Sequence, residues 1–562
     1  MALQRYLLIG AIAVLSYMLL TEWNLFQQRH SDAASAYPAQ STAAAAPAAD
    51  SVPGDVATAD NSAELPSADS GNSAASVADS APTAAIASPF VRVYSDLLEL
   101  RIDRRGGDVV YAALPAYKAN IKRADPFVLL DDQQRTYIAQ SGLIGRDGID
   151  TSAGRALLQA SAEEFRLAEG ANELVVDLTH RSEQGVVVTK RFTLHRGSYL
   201  IDVAYLIDNQ SAAPWQGSMY GQLKRDASPD PSAANNNMFS IKPYLGAATS
   251  TPESLFQKLP FNKFDEKPLK MQRDDGWIAM LQHYFVSAWI PASGHNYSYA
   301  TLNSNGNHLI RYTSPALDVA PGSSGELHAQ LYAGPKDQYR LEQVSPGLEL
   351  SVDYGILWWI AQPLFWLLTK IHGFLGNWGW SIVILTVMVK GAFFWLNAKA
   401  YHSMANMRKV QPKLTAIRER YADDRQKQSE EMMKLYKTEK INPLGGCLPI
   451  LVQMPVFMAL YWVLMESVEL RQAPWILWIK DLAAMDPYFI LPLLMGCSMF
   501  LQQKLNPAPP DPMQAKVMQW MPVVFTIFFL WFPAGLVLYW VVNNSLSIVQ
   551  QYLITRRLEQ RA

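Results

Sequence analysis

The sequence predicts a multi-domain membrane protein that combines an all-β sandwich with a core of five transmembrane helices, an N-terminal transmembrane anchor and a cytoplasmic helical hairpin. Residues 89–339 consist of short runs in which apolar and polar residues alternate. Turn residues separate these runs, which is typical of antiparallel strands. After Tyr354 the chain consists mainly of apolar segments long enough to cross a bilayer. A basic segment at 398–443 interrupts them and indicates on which side of the membrane each connection lies.

The composition fits several domains and excludes some classes of function. At 562 residues the chain is too long for one ordinary domain. Its net charge of −2 gives no case for nucleic-acid recognition, which needs a basic surface. Both cysteines, Cys447 and Cys497, fall in apolar segments, so the sandwich must be stabilised by an ordinary hydrophobic core rather than by disulfides.

The N-terminal region divides into an apolar segment and a low-complexity segment. In residues 1–28, Arg5 precedes an apolar run that ends at Thr21-Glu22 without a nearby small-residue cleavage site. This pattern favours an uncleaved anchor with a cytoplasmic N-terminus, and a cleavable signal peptide is the alternative. Residues 29–88 are mostly Ala, Ser, Pro and Asp, which cannot bury enough apolar surface to fold, so we predict a disordered tether.

The predicted sandwich at 89–345 shows no sign of catalytic chemistry. Runs such as 188–194 alternate apolar and polar residues, and turn signals recur along the region. Its histidines are scattered without the spacing of metal ligands, at His180, His195, His283, His295, His308 and His328. We therefore expect no metal, no cofactor and no catalytic residue here. A sugar-active or cell-envelope enzyme is kept as a competing hypothesis, because sandwiches of this kind often bind sugars.

The distribution of positive charge predicts the topology of the helical part. Eleven Lys or Arg residues lie between 398 and 443, and the C-terminal tail adds Arg556, Arg557 and Arg561. By the positive-inside rule this segment and both chain ends are cytoplasmic, and the sandwich lies outside. The interrupted apolar segment at 350–376 suits a helix lying in the headgroup plane. The predicted boundaries are 350–376 for this interfacial helix, 377–397, 446–465, 487–503, 516–532 and 534–555 for transmembrane helices 2 to 6, 398–443 for the hairpin and 556–562 for the basic tail.

The hairpin carries methionines that allow two interpretations. Apolar residues recur at steps of three and four, which predicts two helices that bury a common seam. Met404, Met407, Met432 and Met433 also lie in this basic segment beside the membrane. Because methionine is flexible and polarizable, these side chains suit a surface that accepts varied apolar substrates or partners.

Lys390 lies near the middle of the span at 377–397. A lysine at the centre of a membrane helix costs about 2.5–3.5 kcal/mol on insertion scales, so the residue is expected to face other helices or water. On one continuous helix, Thr386 and Asn397 lie on the same face as Lys390. A lysine that snorkels to the membrane surface is the alternative.

Other polar side chains fall at similar depth in the remaining spans. Gln453 lies part-way into the third span, and Asn543, Ser547 and Gln550 form one stripe of the last. Together with Lys390 they describe a polar hollow that is open to the cytoplasm and to lipid. The amides and hydroxyls could also serve only as contacts between helices.

A one-sided hollow of this kind would lower the desolvation barrier for an acidic polypeptide segment that enters part-way across the membrane. No bond chemistry is required. A channel or carrier is the competing hypothesis, but it needs a path to both faces and usually shows internal repeats, which this sequence lacks.

Four stretches carry a resemblance to a known family. They are GNWGWSIVILTVMVKGAFF, EKINPLGGCLPILVQMPVFMALYWVL, SVELRQAPWILWIKDLAAMDPYFILP and FFLWFPAGLVLYWVVNNSLSIVQQYLI, and they resemble the YidC family of bacterial membrane protein insertases over 350–560. The anchor, tether and outer sandwich resemble its Gram-negative branch. The resemblance implies a non-enzymatic protein of the bacterial inner membrane that inserts and folds inner-membrane proteins through a positively charged groove. It also implies that the sandwich is a periplasmic β-supersandwich.

The same resemblance implies partners and site residues. The substrates would be nascent membrane proteins in the lipid bilayer, and the Sec translocon with SecD–SecF would be partners. The hairpin and basic tail could contact the ribosome or signal-recognition components. The groove cation maps to Lys390, and groove-lining positions map to Thr386, Tyr539 and Trp540. Lys390 stands where the family most often has arginine, and it lacks the five-donor fork of that residue; Trp540 stands where tyrosine is common.

Overall fold

The computed structural model describes residues 88–151, 154–232, 243–422, 424–439, 448–506 and 512–560. The predicted anchor at 1–28 and the tether, except for its last residue, lie outside these ranges, and so does Cys447.

Two β-sheets form a sandwich in the first part of the described chain. The first sheet has the order β14-β17-β18-β11-β5-β3-β2-β1-β7, with β19 beside β11 and β4 beside β3, and the second has the order β13-β12-β15-β16-β20-β10-β9-β8-β6. The strands are β1 (Phe90–Tyr94), β2 (Glu99–Asp103), β3 (Val109–Lys118), β4 (Pro126–Leu130), β5 (Tyr137–Ile144), β6 (Gln159–Ala160), β7 (Glu164–Arg166), β8 (Glu173–Arg181), β9 (Val186–His195), β10 (Leu200–Asn209), β11 (Trp215–Arg225), β12 (Gly246–Thr249), β13 (Gln257–Leu259), β14 (Lys270–Asp274), β15 (Ile278–Leu281), β16 (Phe285–Pro291), β17 (Asn296–Ser304), β18 (Asn307–Thr313), β19 (Leu317–Val319) and β20 (Ser323–Pro335).

The expectation of a purely antiparallel sandwich is wrong at one edge. β7 pairs with β1 in parallel, with Arg92 opposite Glu164, whereas the other described pairs are antiparallel. A parallel pair requires a crossover, and the chain reaches β7 only after contributing β6 to the other sheet. The rest of the architecture follows the alternation in the sequence, as in β9, where Val188, Phe192 and Leu194 point into the core.

The interior of the sandwich also contains a set of hydrogen-bonded charges. Lys190 is fully buried on β9, and its ammonium donates to the carbonyls of Gly106 (3.1 Å) and Ser141 (3.0 Å). The Arg155 guanidinium bridges the carboxylates of Asp108 and Asp150 beside it. Burial lowers the pKa of Lys190 to about 7 despite the two nearby carboxylates. These charges link strands and loops that are far apart in the sequence.

The second part of the described chain is helical. Its helices are α1 (Gln338–Val344), α2 (Trp358–Leu375), α3 (Trp378–Ala392), α4 (Phe394–Arg420), α5 (Arg425–Thr438), α6 (Leu448–Glu466), α7 (Ile490–Leu505), α8 (Pro512–Phe529) and α9 (Ala534–Glu559). Helix α9 packs against α3, α4 and α7, and α2 packs against α3 and α6. By length and mean hydropathy, no single described helix meets the criteria for a membrane span; α3 and α4 meet them only as a pair, with a 67° bend between them.

The sandwich is joined to the helical part by a buried ion pair. Lys336, just after β20, contacts Glu466 at the end of α6 at 3.1 Å, and their side chains are only 4% and 5% exposed. Lys336 also donates to the carbonyl of Ser351. His283 in the turn between β15 and β16 donates from Nε2 to the carbonyl of Met465 at 2.8 Å. Burial of this imidazole lowers its pKa below the ordinary value. The sandwich therefore contacts the end of the helix that carries Gln453.

Candidate functional site: a polar groove around Lys390

The segment that carries Lys390 is broken rather than continuous. Helix α3 ends at Ala392, and Phe393 has non-helical dihedral angles before α4 begins. Gly391 lies just before the break, and glycine weakens a helix because of its backbone freedom. The prediction that one continuous helix spans 377–397 and places Thr386, Lys390 and Asn397 on a common face is therefore wrong in its geometry, because Asn397 lies on α4.

Lys390 and Asn397 are nevertheless brought together through a third residue. The Lys390 ammonium donates to the amide oxygen of Gln453 at 3.4 Å, and the Gln453 amide nitrogen donates to Asn397 Oδ1 at 3.2 Å. Lys390 is 8% exposed and Asn397 is fully buried. Among the described residues no carboxylate lies within ion-pair distance of Lys390. The lysine thus has one long contact with a neutral group and a small opening to its surroundings.

The predicted polar residues of the last span make hydrogen bonds within their own helix and to α4. Gln550 donates from Nε2 to the carbonyl of Phe394 at 3.2 Å, immediately after the break. Ser547 is buried and donates to the carbonyl of Asn543 on its own helix at 2.7 Å. Thr386, also fully buried, donates to the carbonyl of Ile382 at 2.6 Å. Ser547 also forms a side-chain hydrogen bond with Tyr401 on α4, so both Ser547 and Gln550 contact the broken segment from α9.

Tyr539 and Trp540 lie in an aromatic cluster and make no described contact with the Lys390 network. Tyr539 is 3% exposed and belongs to the apolar core of the helical part. Phe457 lies 4.6 Å from Trp540 between ring centroids, and Phe529 lies 5.3 Å from it. Among the described residues the buried indole N–H of Trp540 has no hydrogen-bond acceptor. The structure therefore places Tyr539 and Trp540 in the apolar core of the helical part rather than beside Lys390.

The four hairpin methionines occupy different environments. Met407 and Met432 pack against Val410 and Leu414, between α4 and α5. Met404 lines a separate cavity between α4, α7 and α9, and Met433 is half-buried. Two of the four methionines therefore contribute to the seam between the two helices.

The chemistry available in this groove is that of a positive charge and neutral amides. Within the described ranges there is no cluster of three or more His, Cys, Asp or Glu side chains that could hold a metal ion. The ammonium of Lys390 would attract an anionic or strongly polar group, and the amides of Gln453 and Asn397 offer both donors and acceptors. The arrangement suits transient binding of a polar segment.

Known proteins resemble this chain over its whole length. The family model described as YidC periplasmic domain matches residues 90–367, and the one described as 60Kd inner membrane protein matches residues 370–561. The membrane protein insertase YidC of Pseudomonas putida (strain W619) is 55% identical, and the alignment covers 100% of this chain and 99% of that protein. The chain belongs to the YidC family. YidC from Stutzerimonas stutzeri (strain A1501) is 54% identical, with 100% of both chains covered.

A solved structure of an active YidC insertase, with its first transmembrane domain resolved, is also similar. It covers 83% of this chain and 93% of its own, at 18% identity and a TM-score of 0.38. Family membership comes from the sequence relatives. It makes the chain a membrane protein insertase of the inner membrane, a non-enzymatic function, with a β-sandwich in the region of the YidC periplasmic domain.

Sequence reasoning missed two features of this part of the YidC chain. It placed Gln453 in the hollow but did not identify it as the link between Lys390 and Asn397. The prolines on both sides of Gln453, Pro449 and Pro455, mark an unusual helix but do not indicate its partners. It also missed the buried Lys336–Glu466 contact, for which no local sequence signal exists because the residues are 130 positions apart.

Proposed function

We propose that this insertase receives the polar, preferably acidic, segment of a nascent membrane protein in the groove around Lys390. The single observation that carries the proposal is a buried lysine whose one hydrogen-bond partner among the described residues is a neutral amide, Gln453, at 3.4 Å. A buried charge without a compensating carboxylate is costly and is typical of a functional site in a membrane protein. A substrate carboxylate would supply the missing partner.

The groove would act by reducing the distance over which a polar segment has to be dehydrated. In lipid every unpaired polar group costs several kcal/mol, so a polar hollow that reaches part-way across lowers the barrier to translocation. An adjoining apolar segment could then move sideways into lipid. The amides of Gln453, Asn397, Asn543 and Gln550 would exchange hydrogen bonds with the passing chain.

The proposed topology is multi-pass, with both chain ends and the α4–α5 hairpin in the cytoplasm and the sandwich in the periplasm. The basic residues of 398–443 and of the tail support it through the positive-inside rule. We further propose that the chain acts alone or with the Sec translocon and SecD–SecF. The hairpin methionines and the basic tail are proposed contacts for substrates, the ribosome or signal-recognition components.

The test is insertion of a small membrane protein with a short acidic translocated tail into proteoliposomes that contain only the full-length insertase. Protection of the tail from added protease measures insertion. Lys390→Glu is expected to reduce protection at least about tenfold, since like charges then repel the tail, whereas Lys390→Arg retains it.

The matched control is Lys370→Glu, which reverses an exposed lysine on the apolar helix α2, and it should insert at the wild-type level. Equal loss in both variants would show that the groove charge is not specific. Normal insertion by Lys390→Glu would contradict the proposed mechanism. Flux of a small solute through vesicles without substrate protein would instead support a channel.

A further inference from the structure

A small cavity lies apart from the Lys390 groove, between the start of the hairpin and the ends of two apolar helices. It has a volume of about 120 Å³ and is lined by residues of α4, α7 and α9. The cationic side chains of Arg408 and Lys409 line it, together with the buried amide of Gln551. No residue of the Lys390–Gln453–Asn397 network belongs to it.

The two cations are differently engaged. Arg408 donates from Nη2 to the carbonyls of Lys504 and Leu505, both at 3.3 Å, so it neutralises the negative C-terminal end of α7. Its remaining N–H groups, and the ammonium of Lys409, have no carboxylate partner in the described part of the chain. Lys504 adds a third positive charge nearby and lies over the ring of Phe500. The cavity is therefore electropositive without an internal counter-charge.

Gln551 supplies a second, independent observation. It is 3% exposed, and its Nε2 donates to the carbonyl of Leu505 and to Asn506 Oδ1, both at 3.0 Å. These bonds fix the amide so that Oε1 is its remaining polar atom, and that oxygen is buried without a hydrogen-bond donor among the described residues. An unsatisfied buried acceptor is costly, so a ligand with a donor would be favoured there.

The surroundings indicate a lipid rather than a free anion. Large apolar side chains are exposed on the adjoining turns of both helices, namely Phe500 and Leu501 on α7 and Tyr552 and Leu553 on α9. Basic cavities between membrane helices at the cytoplasmic side are typical sites for anionic lipid headgroups. The acyl chains of such a lipid would lie against the exposed apolar residues.

We infer that this cavity binds an anionic phospholipid whose headgroup carries both a phosphodiester and a hydroxyl group, as phosphatidylglycerol does. The phosphodiester would lie against Arg408 and Lys409, and a headgroup hydroxyl would donate to Gln551 Oε1. This site is distinct from the groove; it rests on the proposed topology but not on the proposed mechanism of insertion.

The test uses the full-length protein in nanodiscs that contain phosphatidylglycerol, phosphatidylmethanol and phosphatidylethanolamine in equal amounts. Native mass spectrometry then counts the lipids that remain bound. Phosphatidylglycerol should be retained in preference to phosphatidylethanolamine, and Lys409→Gln should lower its retention about fivefold, the usual effect of one basic residue at an anionic surface. Lys409 is exposed, so this change leaves the fold intact.

Two further variants test separately the role of the positive charge at the cavity and the role of Gln551 as a hydrogen-bond acceptor. Lys437→Gln removes another exposed cation, on α5 and away from the cavity, and should leave retention unchanged. Gln551→Leu should abolish the preference for phosphatidylglycerol over phosphatidylmethanol, which has the same charge but no hydroxyl. Equal losses in Lys409→Gln and Lys437→Gln would reduce the site to a general surface charge and overturn the proposal.

The identity of the ligand is tested by competition. Soluble glycerophosphoglycerol, which has the same headgroup without acyl chains, should not displace the bound lipid even in large excess. Displacement would show that the cavity binds a free phosphodiester and would overturn the assignment to lipid. An unchanged headgroup preference in Gln551→Leu would show that Oε1 does not accept from the ligand.

Discussion

Lys190 in the sandwich and Lys390 in α3 are both buried, with 0% and 8% exposure, but their surroundings differ. Lys190 donates to two backbone carbonyls and lies near the carboxylates that Arg155 bridges. Lys390 contacts one amide oxygen at 3.4 Å. The comparison teaches that burial alone does not identify a functional charge. Lys190 has several polar partners within the fold, whereas Lys390 has one described partner and could accept a ligand.

The physical basis of this difference is desolvation. A buried ion is tolerated when hydrogen bonds and opposite charges replace the water that it lost. The sandwich provides such groups from β5 and from the loops that carry Gly106, Asp108 and Asp150, although burial still lowers the pKa of Lys190. In the described part of the chain Lys390 has one hydrogen-bond partner, the amide of Gln453, so a carboxylate at the proposed site would improve its environment.

The largest effect on stability is expected for Arg155→Met in the sandwich. This change leaves the buried carboxylates of Asp108 and Asp150 without their cation, and removing one partner of a buried ion pair costs about 3–5 kcal/mol. Hydrogen exchange of β9 and β10 in the full-length protein measures the loss. Insertion per folded molecule should remain normal. Hydrogen exchange at the wild-type rate would show that these charges do not contribute to the stability of the sandwich.

A slightly smaller effect is expected at the contact between the two parts of the chain. Lys336→Met leaves the buried Glu466 carboxylate unpaired and should destabilise the contact by about 3 kcal/mol. Faster hydrogen exchange is expected at 466–486, and β9 should remain protected. Glu466→Gln combined with Lys336→Met removes both charges and should restore most of the protection. Failure of this double variant would indicate that shape, rather than charge, maintains the contact.

The pH dependence of the sandwich should depend on Lys190. Its pKa is about 7 when folded and 10.5 in its ordinary state, so between these values the unfolded chain binds more protons and stability rises with pH. In Lys190→Met the slope of the unfolding free energy between about pH 7 and pH 10 should therefore fall by up to about 1.4 kcal/mol per pH unit. Hydrogen exchange at several pH values, corrected for intrinsic rates, measures it. Equal slopes would contradict a depressed pKa.

The smallest effect on stability is expected for Lys390→Met. The change removes an uncompensated buried charge and leaves only one amide oxygen without its donor, so the unfolding free energy should change by no more than about 1 kcal/mol. Insertion should nevertheless fall at least about tenfold. Thermal unfolding and the protease-protection assay, run on the same preparation, separate the two quantities. A large loss of stability would give Lys390 the structural role assigned to Lys190.

The sequence predicted the sandwich and the helical part because their signals are local. Alternation in β9 placed Val188, Lys190, Phe192 and Leu194 on one face, and that face is the buried one. The apolar segments after Tyr354 likewise indicated helices, and helices lie in this part of the described chain. The parallel pairing of β7 with β1 could not be predicted, since it depends on which edge a three-residue strand reaches after a crossover.

By itself the sequence determined the order of the domains, the periodicity of their elements and the presence of Lys390 in an apolar segment. Only the tertiary structure decided which polar groups meet. Gln453 reaches Lys390 and Asn397 across a break that a continuous helix would not have, and Gln551 lies beside Arg408 although the two are far apart in the chain. The physical reason is that periodicity depends on neighbouring residues, whereas the compensation of a buried charge depends on groups that only folding brings together.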